Sequence, residues 1–330
     1  MDSDELFRER LRKQRIKRRN QIIRRVSLFS TVLASFIFLL LYVLTSQFPA
    51  AAEKQAETPI QEKTEENHTW KITQYADTSG AQASIYTVVR DDGKLAVIDG
   101  GWETNADALR EILASLGNHV DTWILTHPHK DHIGAFNTIY PDPQGIIIDR
   151  ILTIDLDVDL YLENAKEWDN ADTEEEFVQM VPNMDNLTYA HTGDTLDVIG
   201  LEMKVINAYD DTVAQQSNDI CNDGALAFKL SGQESSMLFL SDVGSSRESV
   251  ITENFGDDLP SDYVCMAHHG NSSFSDAFYE LVHPKIAFFD APEWLRTGTE
   301  YTTAHFEELM KSLGAQIYTW DGAPHSITLS

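Results

Sequence analysis

The sequence predicts a layered α/β domain carried behind one N-terminal membrane-spanning helix. Three observations point there. Short β-branched runs alternate with helically spaced apolar segments from Trp70 onward, which suits sheets covered by helices. A charge-free apolar stretch fills residues 26–44, close to the ~20 residues a spanning helix needs. The composition, 42% hydrophobic and 10% aromatic, is enough to build a core and excludes disorder throughout. The two cysteines, Cys221 and Cys265, are too few for a disulfide scaffold.

Charge divides the chain. Residues 1–25 hold ten basic and four acidic side chains, a net of +6, and the remainder carries −34, giving the formal −28. The positive-inside rule then puts residues 1–25 in the cytoplasm, a transmembrane anchor at 26–45 and everything beyond about residue 46 outside. A cleaved signal peptide competes, because Ala50-Ala51-Ala52 offers the small residues such peptides end with. The long basic region and the length of the apolar run favour the uncleaved anchor, and the cell membrane is the expected location. Residues 46–69 are rich in Glu, Gln, Ala, Thr and Lys without periodicity, and read as a solvated linker. The folded domain is expected over 70–330, with no internal repeat. So acidic a body makes long nucleic acid a poor partner, since phosphate rewards Lys and Arg.

Within the domain, residues 84–89 and 95–98 read as strands joined by the hairpin signal Asp91-Asp92-Gly93. Residues 104–116 show helical spacing at Ala108, Leu109, Ile112, Leu113 and Leu116, with Gly117 as the stop. Residues 122–126 (TWILT) form a buried strand running directly into His127. Further strands are predicted at 146–154, 196–206, 225–230, 237–240, 263–266, 286–289 and 316–319. Helices are predicted at 174–181, 275–282 and 303–313. Residues 155–186 are acidic and irregular, and read as an insertion beside the site.

The chemistry concentrates in THPHKDHIGA, residues 126–135. His127, His129, Asp131 and His132 are four metal-ligand side chains within six residues, just past a buried strand. Imidazole and carboxylate suit Zn, Mn or Fe ions. Held on one tight turn, these side chains could converge on two neighbouring ions.

With that motif in place, the sequence resembles the metallo-β-lactamase-fold hydrolase superfamily over essentially the whole body. LAVIDGG (95–101) looks like its early strand ending in Asp-x-Gly, MLFLSDVG (237–244) its strand ending in a bridging Asp, and MAHHGNSS (266–273) its late strand ending in a ligand His. The His-His-Gly form is most similar to the C-terminal domain of competence DNA-uptake channel proteins and to phosphorylcholine esterases. The resemblance implies an αββα sandwich with a two-metal site on one edge, zinc first and manganese second. It assigns His127 and His129 to the first ion, Asp131, His132 and His269 to the second, and Asp242 as the bridge. His268 would stand beside them as catalytic hydrogen-bond or proton donor to the leaving oxygen; of the His pair, His269 is favoured as ligand. Many members add a third histidine to the first ion where this chain has Asn222-Asp223. His191 is a candidate substitute, although His-Thr-Gly-Asp reads more easily as a surface turn. Cys221, beside Asn222, would lie near the metals, and Cys265 within a strand; both read as inert thiols.

The expected function is membrane-anchored, extracytoplasmic hydrolysis of a phosphodiester or similar ester, small or cell-surface, by water activated between two ions. A nuclease acting on DNA or short oligonucleotides is the alternative within the enzyme class. A non-catalytic metal-binding or sensor domain is the alternative outside it. Trp294 and Tyr301 in a loop, and Tyr161 and Trp168 in the insertion, are aromatic candidates for the substrate pocket, with packing as the plainer role for each.

Overall fold

The structure, a computed structural model, describes residues 67–330 apart from 78, 167, 170, 273, 321 and 322. The predicted span at 26–44, its basic flank and most of the linker lie outside the described residues. No helix among the described residues is long and apolar enough to cross a membrane.

Two seven-stranded sheets form the centre. The first runs His325–Leu329, Trp70–Gln74, Ile85–Arg90, Leu95–Asp99, Thr122–Ile124, Ile151–Ile154, Leu187–Ala190. Its first four strands pair antiparallel and the rest parallel. The second runs Gln316–Tyr318, Ile286–Phe288, Tyr263–Cys265, Ser236–Phe239, Ala227–Ser231, Leu201–Asn207, Thr195–Val198. There the first four strands are parallel and the rest antiparallel. The inner parallel strands Thr122–Ile124, Ile151–Ile154 and Tyr263–Cys265 are short and largely buried, as strands covered on both faces must be, while Leu187–Ala190 and Gln316–Tyr318 at the parallel edges are largely uncovered.

Three apolar clusters mark three interfaces between four layers. The central one joins the sheets through Ile72, Tyr86, Ile98, Phe228, Phe239 and Phe288. Tyr86 meets Phe239 edge to face at 5.3 Å, a geometry worth about 0.5–1.5 kcal/mol beyond the area it buries. A second cluster seats Asp276–Val282 and Thr303–Ser312 on the outer face of the second sheet through Phe278, Val282, Phe306 and Met310. The third seats Ala106–Ser115, Lys130–Ile139 and Ala171–Met180 on the first sheet through Leu109, Leu113, Ile133, Phe136, Ile139 and Phe177. The order helix, sheet, sheet, helix is the predicted αββα sandwich.

Four expectations are corrected. The single strand predicted over 146–154 is two short ones, Ile147–Ile148 and Ile151–Ile154, in different sheets. The strand predicted over 196–206 is a hairpin, because Ile199 and Gly200 take positive φ of 49° and 91° and turn the chain between Thr195–Val198 and Leu201–Asn207. The supposedly irregular insertion contains helices at Val158–Asn164 and Ala171–Met180. Finally, the histidine motif is not one tight turn: Asp131 and His132 open the helix Lys130–Ile139, whose N-terminal flank is His129.

Candidate metal centre

The candidate ligands gather where strands of both sheets end. His127 and His129 follow Thr122–Ile124, Asp242 follows Ser236–Phe239, and His268 and His269 follow Tyr263–Cys265. All three are parallel strands, and the crevice beyond their carboxyl ends is the general binding position in such sheets. A backbone bond from Leu226 N–H to the Thr126 carbonyl, 2.9 Å, ties the sheets together at this edge.

Three of the imidazoles, those of His127, His129 and His132, are oriented by partners. Asp99, in left-handed conformation with φ 56°, accepts from Thr126 N–H at 2.8 Å and from the Thr126 hydroxyl at 2.9 Å. It also accepts from His132 Nδ1 at 2.7 Å, which aims His132 Nε2 into the site. His127 Nδ1 lies 3.2 Å from the Thr126 hydroxyl and 3.3 Å from that of Ser241. His129 Nε2 meets Asp169 Oδ1 at 3.1 Å, which leaves Nδ1 facing inward. Carboxylates behind ligand histidines fix tautomer and ring orientation in metal sites.

The backbone around the late pair is strained. His268, His269 and Gly270 are consecutive left-handed residues, with φ of 48°, 56° and 89°. A Cβ on Gly270 would lie 2.5 Å from Phe289 Cδ1, so only glycine fits. The His268 amide is anchored to the Ser241 carbonyl at 2.7 Å. This turn buries His269 yet leaves the His268 side chain 31% exposed at the mouth.

The predicted set therefore comes together. Asp131, His132 and His269 form one group with ligand atoms within 4.8 Å of one another, and His127, His132 and Asp242 form a second. Asp242 faces both: Oδ1 is 3.2 Å from His132 Nε2, and Oδ2 is 3.5 Å from His269 and 4.0 Å from His127. His127 Nε2 and His129 Nδ1 are 3.1 Å apart, near the roughly 3.3 Å that separates nitrogens on a tetrahedral zinc. His268 Nε2 stands 3.7 Å from Asp242 Oδ2.

The donors fit metal ions better than they fit one another. Nε2 of His132 and of His269 are buried with carboxylate oxygens 3.2 Å away, yet neither makes an in-line hydrogen bond. Orphaned buried polar atoms are costly and call for an explanation. Electrostatics agree. Burial works against ionising Asp242, but His132, His269 and His268 together hold its carboxyl well below the usual range. The same opposition places Asp131 low, with His269 and His132 outweighing burial. Burial opposes charging His269 as well, and Asp242 and Asp131 nevertheless push it up to about 10. Burial, then His132 and His129, keep His127 neutral with its lone pair available. Two buried carboxylates demand positive charge between these rings, which protons or divalent cations can meet.

Residues 80–141 match the family model described as the Metallo-beta-lactamase superfamily. Its fold is the metallo-β-lactamase fold. It is similar to YhfI from Bacillus subtilis, a metallo-beta-lactamase fold protein, at 11% identity and TM-score 0.50, over 78% of this chain and 100% of that one. Igni18, a metallo hydrolase of the hyperthermophilic archaeon Ignicoccus hospitalis, is 12% identical with TM-score 0.47, over 79% and 99% of the two chains. A diphosphatase of the PhnP family is 16% identical with TM-score 0.44, over 80% and 97%. At such identities the likeness concerns the fold. No curated protein matches the chain.

The other candidates part company from the site. His191 is exposed in the turn before Thr195–Val198 and belongs to none of the metal-ligand groups. Tyr161 is buried, donating to the Asp169 carbonyl at 3.0 Å, and Trp168 is 62% exposed. Trp294 bonds the Gly80 carbonyl at 3.0 Å and meets Tyr301 edge-on at 5.5 Å, a loop-packing role. Sequence reasoning missed Asp169 altogether, since nothing local marks one acid among many in the insertion. Asp99 was visible only through the Asp-x-Gly pattern. Cys221, read as inert, lies with His127 and His129 in a third group, ligand atoms within 4.8 Å.

Proposed function

We propose that this chain is a metal-dependent hydrolase of a small phosphodiester or similar ester, anchored by residues 26–45 with its domain outside the cell. One observation carries the hydrolase reading: two donor groups share His132, Asp242 lies within 3.5 Å of His269 in the second group as well, and the buried Nε2 atoms of His132 and His269 lack in-line hydrogen-bond partners. Divalent ions held there would supply Lewis acidity and an acidified water near neutral pH.

The protein's own residues supply the rest. Asp99 and Asp169 hold their imidazoles in register, and the dry surroundings strengthen each charge–dipole contact. Asp242, kept ionised, neutralises cationic charge from the floor of the site. His268 is the half-exposed group at the mouth, so its ring can hand a proton to the departing alkoxide or hold a non-bridging oxygen. The net charge of −34 on residues 26–330 favours compact substrates over long polyanions.

The test is hydrolysis of bis-p-nitrophenyl phosphate by the full chain with Zn²⁺ or Mn²⁺ present. Turnover abolished in Asp242→Ala is the expected outcome. A folded, metal-loaded chain that turns over no ester would instead mark a metal-binding or sensor domain. For the anchor, the chain should stay with membranes after alkaline carbonate washing, and its C-terminal domain should be digested by protease added to intact cells. Release by carbonate would remove the anchored reading.

A further inference from the structure

The first ion has a shortfall. Apart from the shared Asp242, it has only His127 and His129, whereas a tetrahedral catalytic site takes three protein ligands of its own and an open position. Asn222-Asp223 stands where a third histidine was sought. Asp223 is turned away: its carboxylate accepts from the hydroxyls of Ser217 at 2.5 Å and Ser246 at 2.6 Å. Asn222 donates its side-chain amide to Asp219 at 3.0 Å.

The residue before them has the right address. Cys221 sits in the short helix Ile220–Asp223, fully buried, with Sγ within 4.8 Å of the ligand atoms of both His127 and His129. Donors around one zinc ion lie roughly 3.3–3.6 Å apart, so the group needs only small side-chain movements to close. Its position is held firmly. Asn207 donates to the Asp223 and Ala225 carbonyls at 3.0 and 2.8 Å, and Leu226 N–H bonds the carbonyl of Thr126, the residue preceding His127. The turn that presents the sulfur is thereby fastened to the turn that presents the imidazoles. Cys265, the other buried thiol, is elsewhere, donating to Asp290 at 3.4 Å in the core.

We infer that Cys221 is the third ligand that the first ion does not share, giving a sulfur-containing His-His-Cys set, with Asp242 as the bridge, beside the nitrogen and oxygen set of the second. The inference rests on the two-ion reading above. On binding, the S–H bond breaks, its proton leaves to solvent and the thiolate becomes the donor, as coordinating thiols do. A thiolate makes the first site softer than the second, so it should discriminate for zinc over manganese.

Cobalt titration of the metal-free full chain tests this with a readout other than activity. Wild type should bind two cobalt ions and show a thiolate-to-cobalt charge-transfer band in the near ultraviolet. Cys265→Ala should keep the band, and Cys221→Ser should lose it. Cys221→His should lose the band while retaining both ions, which guards against a variant that merely misfolds. Two ions bound by wild type without the band would overturn the inference and leave the two-ion reading standing. A band that survives in Cys221→Ser would overturn it equally. No cobalt bound at all would overturn both.

Discussion

Asp169 accepts a hydrogen bond from Nε2 of His129 at 3.1 Å, across forty residues of sequence. The insertion therefore supplies the outer partner of a candidate ligand. Asp169→Ala should lower affinity for the first ion about 10–100-fold, the usual effect of removing a ligand's outer partner. Asp172→Asn, which only releases an exposed pair with Lys130, should leave it unchanged. Competition against a chromogenic chelator measures both; equal affinities for Asp169→Ala and wild type would separate the insertion from the site.

Asp99 should matter to the second ion and to stability together. Asp99→Ala removes acceptors from the Thr126 amide, the Thr126 hydroxyl and His132 Nδ1, all buried. Each donor left unpaired costs about 1–3 kcal/mol. Urea unfolding should show a loss of several kcal/mol, and isothermal titration should show weakened binding of one ion. A stable variant with normal metal content would contradict the role assigned to this carboxylate.

Gly270→Ala should destabilise by about 1–3 kcal/mol and disturb His269, since φ is +89° and the new methyl would press on the Phe289 ring. Gly256→Ala makes the contrast: nothing lies within 4 Å of its Cβ and φ is −52°, so it should be neutral or stabilising by about 0.4–1 kcal/mol. Thermal midpoints of the pair decide it; similar midpoints would mean the His268–Gly270 turn is less constrained than its geometry indicates.

His268→Gln should cut ester turnover about 10²–10⁴-fold, the range for a lost acid–base group, with metal content unchanged. Elemental analysis beside the kinetics separates the roles. Loss of an ion together with activity would make His268 a ligand and return the choice within the His268–His269 pair to the alternative reading.

Asp290, in the core behind His269, gives a pH signature. Burial raises its carboxyl above the usual range, against His269 and the bonds donated by Gln74, Tyr86 and Cys265. The folded state then binds this proton more tightly than the unfolded state. Its contribution is complete below about pH 4 and is lost as pH rises through the folded value. The stability of wild type relative to Asp290→Asn should accordingly fall as pH increases from 4. Urea midpoints across that range check the sign, and a difference growing with pH would refute it.

Six candidate ligand positions stand out in the chain because four of them, His127, His129, Asp131 and His132, crowd into six residues, and the others end apolar strands. Strands whose residues are buried on both faces were equally readable as apolar runs. The hairpin at Ile199-Gly200 was not, since its apolar pattern continues straight through a turn made by two positive φ angles. The helix Lys130–Ile139 hid behind the metal motif at its own start, where polar ligands mask the apolar face of Ile133, Phe136 and Ile139.

What the sequence determined by itself is what local chemistry encodes: ligand type, strand and helix periodicity, and the basic-then-apolar N-terminus. Only the tertiary structure brought one acid and one thiol beside the candidate ligands. Asp169 and Cys221 lie 40 and 92 residues from His129, amid many acids and beside a weak local signal. Their meaning depends on direction and distance, and both arise when two sheets close on a shared core and bring the ends of their parallel strands together.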